Sequence, residues 1–320
     1  MKFGQLNGIN KPISRLVQGT VMLGSYSQHE ADSLLDAVFA AGINTFDTAH
    51  IYGSGACERI FGNWLASRDL RDQVVILGKG GHPMDGRNRV TPEDISADIA
   101  DSLERMQIDT IDLYILHRDD TTKPVGPIME CLNQHLQAGT IKSIGGSNWS
   151  TERLAEANKY ATSHSLIPMQ ASSPNFSLAE QAKPPWDGCI TISGPEYAAD
   201  RDWYSQQQMP LFTWSSLAGG FFSGRFAPDN LASFDNYFDK LCVEVYCFGD
   251  NWGRLERAKQ LAAKKDVSLA QIAIAYVLKQ PILDTYALIA AWRPEEAVDS
   301  VNAVNIELTA DEIGWLESGD

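Results

Sequence analysis

Eight short apolar runs punctuate the chain, each followed sooner or later by a helical pattern, and this alternation restricts the fold more than any other feature. The runs cover residues 16–19, 44–47, 74–79, 111–117, 141–147, 168–170, 211–214 and 288–290. Their apolar residues are continuous rather than alternating, as in strands buried on both faces of a parallel sheet. Parallel neighbours need long crossovers, which are usually helices. Eight such units close a sheet into a (β/α)8 TIM barrel. A doubly wound open sheet is the competing arrangement, but it calls for G-x-G-x-x-G after the first strand, and none is there. The nearest string, Gly53-Ser54-Gly55-Ala56-Cys57-Glu58, follows the second run and reads as a turn into the next helix. The expectation is one α/β domain over residues 1–320.

Local signals agree with that reading. Residues 2–6 and 11–13 form an N-terminal hairpin turning at Asn7-Gly8. Ser27-Gln28-His29-Glu30 is a capping box, followed by Ala31, Leu34, Leu35 and Val38 at helical spacing up to Gly42. Thr91-Pro92-Glu93-Asp94 gives an N-cap, a proline at the first helical position and acids in the first turn. Ser150 caps a helix over 151–163, Gly139 ends one over 125–138, and Ser268 and Thr309 open two further boxes. Long loops are expected after the sixth and seventh strands, at 172–194 and 218–251, the second rich in aromatic residues.

Composition narrows the function. The balance is globular, with 44% hydrophobic and 21% charged residues, and the formal charge of -15 argues against a nucleic-acid partner. No apolar run approaches the roughly 18 residues of a membrane span, and the opening M-K-F-G-Q-L-N-G lacks an apolar signal region, so a cytoplasmic location is expected. The five cysteines (Cys57, Cys131, Cys189, Cys242 and Cys247) fit no zinc spacing and are expected to be free thiols; no metal site is expected.

The chemistry concentrates where runs end. Asp47, Lys79 and His117 close the second, third and fourth runs, and Tyr52 lies in the loop after the second. In a parallel barrel these ends share one face, where active sites of the fold are built. Singly, each has an ordinary reading: a cap, a surface lysine, a packed ring. Together they compose a proton donor. A phenol ionises near pH 10, a neighbouring ammonium makes it more acidic, a carboxylate fixes the ammonium, and a histidine can hydrogen-bond a substrate oxygen. The string Leu116-His117-Arg118-Asp119 also looks like a kinase catalytic loop, but Pro124 stands where that motif needs asparagine.

These residues and their surroundings resemble the aldo-keto reductase family. The match runs through Gly42-Ile43-Asn44-Thr45-Phe46-Asp47-Thr48-Ala49, Tyr52-Gly53, Gly78-Lys79, Leu116-His117, Gly145-Gly146-Ser147-Asn148-Trp149, Gln170 and Trp214-Ser215-Ser216-Leu217-Ala218-Gly219-Gly220. The resemblance implies that Tyr52 is the general acid, that Lys79 lowers its pKa, that Asp47 pairs with Lys79 and that His117 orients a carbonyl. It implies that Ser147, Asn148 and Gln170 hold a nicotinamide carboxamide, that Trp214 stacks on the nicotinamide ring, and that Ser215, Leu217, Gly219, Gly220 and Arg225 lie over the pyrophosphate. Arg293, Glu296 and Ser300 fall where the family reads the adenosine end. There the chain departs from the pattern: Ala290 and Glu296 replace the more usual basic residues, and Asp299-Ser300 replaces a Glu-Asn pair. Glu296 would repel a 2′-phosphate and suits a ribose hydroxyl. The resemblance still favours NADP over NAD.

The expected activity is reduction of an aldehyde, ketone or sugar carbonyl by hydride transfer. His50, His82, Arg118 and Trp149 are the candidate substrate residues, three of them polar enough to suggest a hydroxylated small molecule. The alternatives are an NAD-dependent sugar or alcohol dehydrogenase using the same site in reverse, and a cofactor-binding regulatory subunit.

Overall fold

The computed structural model describes residues 1–319. The hairpin forms from β1 (Phe3–Leu6) and β2 (Ile9–Ser14), paired antiparallel. Eight parallel strands follow: β3 (Leu16–Gly19), β4 (Thr45–Ala49), β5 (Val75–Gly80), β6 (Ile111–Leu116), β7 (Ile141–Ser147), β8 (Ala171–Ser173), β9 (Leu211–Thr213) and β10 (Thr285–Ile289). They close into a barrel in chain order, with β10 against β3. The expected (β/α)8 TIM barrel is therefore the fold.

Helices α1 (Gln28–Ala40), α2 (Ala56–Arg68), α3 (Pro92–Met106), α4 (Val125–Ala138), α5 (Thr151–Ser163) and α6 (Ala198–Gln207) follow β3 to β8 in turn. Beyond β9 come α7 (Tyr237–Tyr246), α8 (Asn251–Lys265) and α9 (Leu269–Leu278), and beyond β10 come α10 (Pro294–Asn302) and α11 (Ala310–Ser318). The capping boxes at Ser27, Ser268 and Thr309 all form, satisfying donors that a helix start leaves orphaned. None of the described helices is long and apolar enough to cross a membrane.

Two apolar layers hold the barrel. Inside, Val17, Val75, Leu77, Leu113, Ile115, Phe212 and Tyr286 pack together, with the Phe212 and Tyr286 rings stacked at 4.4 Å. Leu6, Ile9 and Ile13 of the hairpin join this layer and plug the N-terminal end. Outside, strand residues such as Phe46, Ile76 and Ile144 meet the helices. With the bottom plugged, access to the interior is from the C-terminal end.

Two strands depart from their expected places, the sixth by three residues and the eighth by starting three residues earlier. The sixth is Ala171–Ser173 rather than 168–170, and the eighth is Thr285–Ile289 rather than 288–290. The small side chains of Ala171-Ser172-Ser173, two of them hydroxylated, carry little hydrophobic signal, yet all three are buried. The apolar Pro168-Met169 pair next to them attracted the assignment instead.

One helix glycine tests the packing of the outer layer. A glycine inside a helix normally costs about 0.5–1 kcal/mol relative to alanine. A Cβ on Gly62 of α2 would meet the backbone of Met106 in α3 at 2.5 Å. Gly62→Ala should therefore destabilise, by about 1–3 kcal/mol, read as a lower urea midpoint; a raised midpoint would show that α2 and α3 are not pressed together there.

Candidate active site

The barrel register brings the ionisable residues together. Asp47 pairs with Leu77 and Ala49 with Lys79 across β4 and β5, while Lys79 pairs with Ile115 across β5 and β6. The His117 amide donates to the Gly80 carbonyl at 2.7 Å, which carries the ladder one residue past β6. Asp47, Lys79 and His117 thus come from three adjacent strands at the open end. Tyr52 reaches them from a tight turn just after β4, in which Gly53 and Ser54 both take positive φ.

Lys79 Nζ donates to both Asp47 oxygens, at 2.7 and 2.5 Å, and both residues are buried. Burial works against the Lys79 charge, but Asp47 and Tyr52 outweigh it and leave the ammonium harder to deprotonate than a free lysine. The Tyr52 hydroxyl lies within hydrogen-bond reach of Lys79, whose Nζ is 5.2 Å from the ring centroid. The His117 ring stands edge-on to Tyr52, with centroids 5.8 Å apart.

The phenol departs from the expected electrostatics. Burial raises its pKa more than Lys79 lowers it, so Tyr52 is held above the ordinary phenol value and carries its proton throughout the neutral range. Lys79 still limits that rise. His117 goes the other way. Burial, then Lys79, Arg118 and His82, hold it well below the ordinary imidazole value, and its Nδ1 is buried without a hydrogen-bond partner. A protonated phenol and a neutral imidazole thus stand side by side.

Of the expected carboxamide residues, Ser147 and Asn148 sit at this end. Ser147 donates to the Ser173 carbonyl at 2.8 Å, and Asn148 Nδ2 donates to Ser147 Oγ at 3.0 Å and to the His117 carbonyl at 3.3 Å. Gln170 does not join them. It precedes β8, and its Oε1 accepts from Asn7 of the hairpin at 3.0 Å, so it lies at the plugged end of the barrel. The residue that faces Ser147 in the register is Ser173. The error follows from the misplaced sixth strand.

Trp214 follows β9, partly exposed, with a buried indole N–H that has no partner. Its carbonyl accepts from Asn175 Nδ2 at 3.1 Å, and Asn175 is itself fully buried. Asn175 also accepts from Thr191 at 2.7 Å and donates to the Tyr246 hydroxyl at 3.3 Å. One asparagine therefore ties the loop after β8 to the loop after β9. It was not anticipated, and nothing in Pro174-Asn175-Phe176 distinguishes it from an ordinary turn.

The segment after Trp214 has an unusual backbone. Ser215, Ala218, Gly219 and Gly220 all have positive φ, at 57°, 51°, 62° and 98°. Leu217, between Ser215 and Ala218, has the ordinary φ of -97°. Successive amides in such an alternation form a concavity that suits an anion. A Cβ on Gly220 would meet nothing nearer than Arg225 Nη2, at 3.7 Å. Arg225 itself is held by two hydrogen bonds to Asp239, at 3.0 and 2.7 Å. At the start of α10, Arg293 donates twice to Glu296, at 2.7 and 3.0 Å, Glu296 also accepts from the Trp292 amide, and Ser300 donates to the Glu296 carbonyl.

The four candidate substrate residues divide. His82 lies at the site, its ring 4.8 Å from that of His117 and edge-on to it. Arg118 is beside it, donating to the His117 carbonyl at 2.8 Å and to the Asp187 carbonyl at 3.2 Å. His50 turns outward to α3, with Nε2 2.9 Å from Asp101 and Nδ1 3.7 Å from Asp98. Trp149 is 0% exposed, its indole donating to the Arg118 carbonyl, and offers no surface to the open end. Ring type alone cannot tell an inward-facing residue from one that packs against helices. Trp186, by contrast, lies 6.3 Å from Trp214 and bonds the Tyr237 hydroxyl at 2.7 Å; it stood in a loop with no periodicity to reveal it.

With the barrel and its acidic, basic and phenolic cluster established, comparison with known proteins gives a consistent result. Residues 15–319 match the model of the aldo/keto reductase family, and the chain belongs to that family. It is 28% identical to an uncharacterized oxidoreductase of Bacillus subtilis (strain 168), YrpG, over 96% of this chain and 92% of that protein. It is likewise 28% identical to the putative aryl-alcohol dehydrogenase AAD14 of Saccharomyces cerevisiae, over 92% of this chain and 78% of the relative. A probable voltage-gated potassium channel subunit beta of Oryza sativa subsp. japonica is 28% identical over 87% of this chain and 82% of its own.

The buried pair makes a stability prediction. Removing Asp47 alone leaves an uncompensated ammonium, which costs about 3–5 kcal/mol, whereas replacing both partners by apolar groups costs much less. Thermal unfolding should rank Asp47→Leu below the double variant Asp47→Leu/Lys79→Met; the reverse order would mean the two charges do not depend on each other.

Proposed function

We propose that the protein reduces an aldehyde, ketone or sugar carbonyl, with Tyr52 as the general acid. The observation that carries this reading is the protonated Tyr52 phenol set between the Lys79–Asp47 pair and a neutral His117 at the open end of the barrel. Neutral His117 would donate a hydrogen bond to the carbonyl oxygen and hold it near the phenol. As negative charge develops on that oxygen, Tyr52 gives up its proton, and the adjacent Lys79 ammonium stabilises the phenolate left behind. Asp47 keeps Lys79 charged and in place.

The surrounding residues fit a nicotinamide dinucleotide. Trp214 offers a flat ring with an unpartnered indole N–H, Ser147 and Asn148 offer polar groups at the end of β7, and the left-handed stretch at 215–220 offers amides for a pyrophosphate. Bound there, the reduced cofactor would supply the hydride. We take NADP(H) as the preferred form, with Arg293 as the partner of the 2′-phosphate. Glu296 supports a second reading, an NAD-dependent sugar or alcohol dehydrogenase, because its carboxylate already occupies the Arg293 guanidinium. The name of the yeast relative fits that oxidative direction, and the name of the rice relative fits a regulatory subunit.

Three results bear on these readings. Tyr52→Phe should lower kcat for carbonyl reduction by about 10²–10⁴-fold while NADPH still binds, as followed by cofactor fluorescence; full activity in the variant would remove Tyr52 from its role. The donor form of Tyr52 exists below its raised pKa and is lost above it, and His117 gains charge only well below its usual value. Reduction should therefore be level across the neutral range, declining only well below the ordinary imidazole range and above the ordinary phenol range, whereas a break near neutrality would contradict the assigned protonation states. Arg293→Ala should weaken NADPH binding about tenfold with little effect on NADH; tighter NADH binding by the unmodified protein would favour the dehydrogenase reading.

A further inference from the structure

Three arginines are buried: Arg118, Arg153 and Arg254. Two have carboxylate partners, Arg153 with Asp119 at 3.0 Å and Arg254 with Glu180. Arg118 is only 6% exposed and has no carboxylate within ion-pair distance among the described residues. The acid next to it in sequence, Asp119, is taken by Arg153. Its protein contacts are two neutral carbonyls, of His117 and Asp187, and its Nη2 makes no hydrogen bond to the protein. Burying an unpaired charge costs several kcal/mol, and a fold retains that cost only where something offsets it.

The location says what that would be. The Nη1 bond to the carbonyl of His117 fixes the guanidinium at the reactive end of the barrel. There its charge pulls down the proton affinity of Tyr52, His117 and His82 alike. Lys79 is neutralised by Asp47, and His82 is turned so that Nδ1 meets the Pro83 carbonyl at 2.8 Å. Arg118 is thus the uncompensated cation of the site, in a chain whose formal charge is -15. The loop that receives its Nε, through Asp187, also carries Trp186, whose ring lies 6.3 Å from that of Trp214.

We propose that Arg118 anchors an oxyanion on the substrate, so that the compound reduced is a carbonyl carrying a carboxylate or a phosphate ester rather than a neutral one. The proposal rests on the carbonyl-reductase reading given above. An arginine fork is suited to either group, with two parallel hydrogen bonds.

Matched substrates test it on the intact protein with saturating NADPH. The pairs are 4-formylbenzoate against its methyl ester, and DL-glyceraldehyde 3-phosphate against DL-glyceraldehyde. In the unmodified protein kcat/KM for one charged member should exceed that of its neutral partner at least about tenfold; which pair shows it tells carboxylate from phosphate. That ratio should fall toward one in Arg118→Met and be intermediate in Arg118→Lys, with thermal unfolding confirming that both variants are folded. Equal rates for charged and neutral members, or a ratio unchanged in Arg118→Met, overturns the subsite and leaves the reductase reading standing. Binding without turnover gives a separate reading. Benzoate, but not benzamide, should quench tryptophan fluorescence in the unmodified protein and not in Arg118→Met. If neither pair is reduced yet this difference appears, the subsite stands and the reductase reading falls; if benzoate and benzamide behave alike, the subsite falls.

Discussion

The buried contact between Lys79 and Asp47 governs the rest of the site. Two opposite charges removed from water are tolerated only with close geometry, and here both carboxylate oxygens accept from one ammonium. That geometry needs β4 and β5 in one register, and the register in turn needs a barrel closed by eight strands and plugged below by the hairpin. Tyr52 and His117 are placed by the same register, one from the turn after β4 and the other from the end of β6. A slip of one residue between β4 and β5 would send Lys79 to the opposite face.

The two long loops supply what the barrel frame lacks. Asn175 joins them through Trp214, Thr191 and Tyr246, and Trp186 joins them again through Tyr237. The frame therefore presents the phenol proposed as proton donor, while the loops border the open end where we propose that a substrate and a nicotinamide meet. Arg118 belongs to both: its backbone follows β6, and its side chain reaches the loop after β8. Its charge, without a carboxylate partner among the described residues, is the basis of the oxyanion subsite proposed above.

How much of this was legible in the sequence depended on how loudly each residue speaks locally. Apolar runs and capping boxes marked most strands and several helices, because burial and orphaned amides each demand particular residue types. Asp47, Lys79 and His117 were legible because each stood at the end of such a run. β8 was not, since Ala171-Ser172-Ser173 is buried without being apolar, and that misplacement moved Gln170 to the wrong end of the barrel and hid Ser173. His50 and Trp149 were misread because a polar or aromatic residue near a strand end can face either the mouth or the helix layer. Asn175 and Trp186 act through long-range contacts between loops that have no periodic pattern.

The central claim is that Tyr52 and Lys79 act as one proton-delivering unit. A double-mutant cycle on kcat/KM with Tyr52→Phe and Lys79→Met tests it most directly. The account predicts strong non-additivity, with the double variant about as slow as the slower single one, since an ammonium that assists a phenol has nothing to assist once the phenol is gone. Losses that simply add would contradict it.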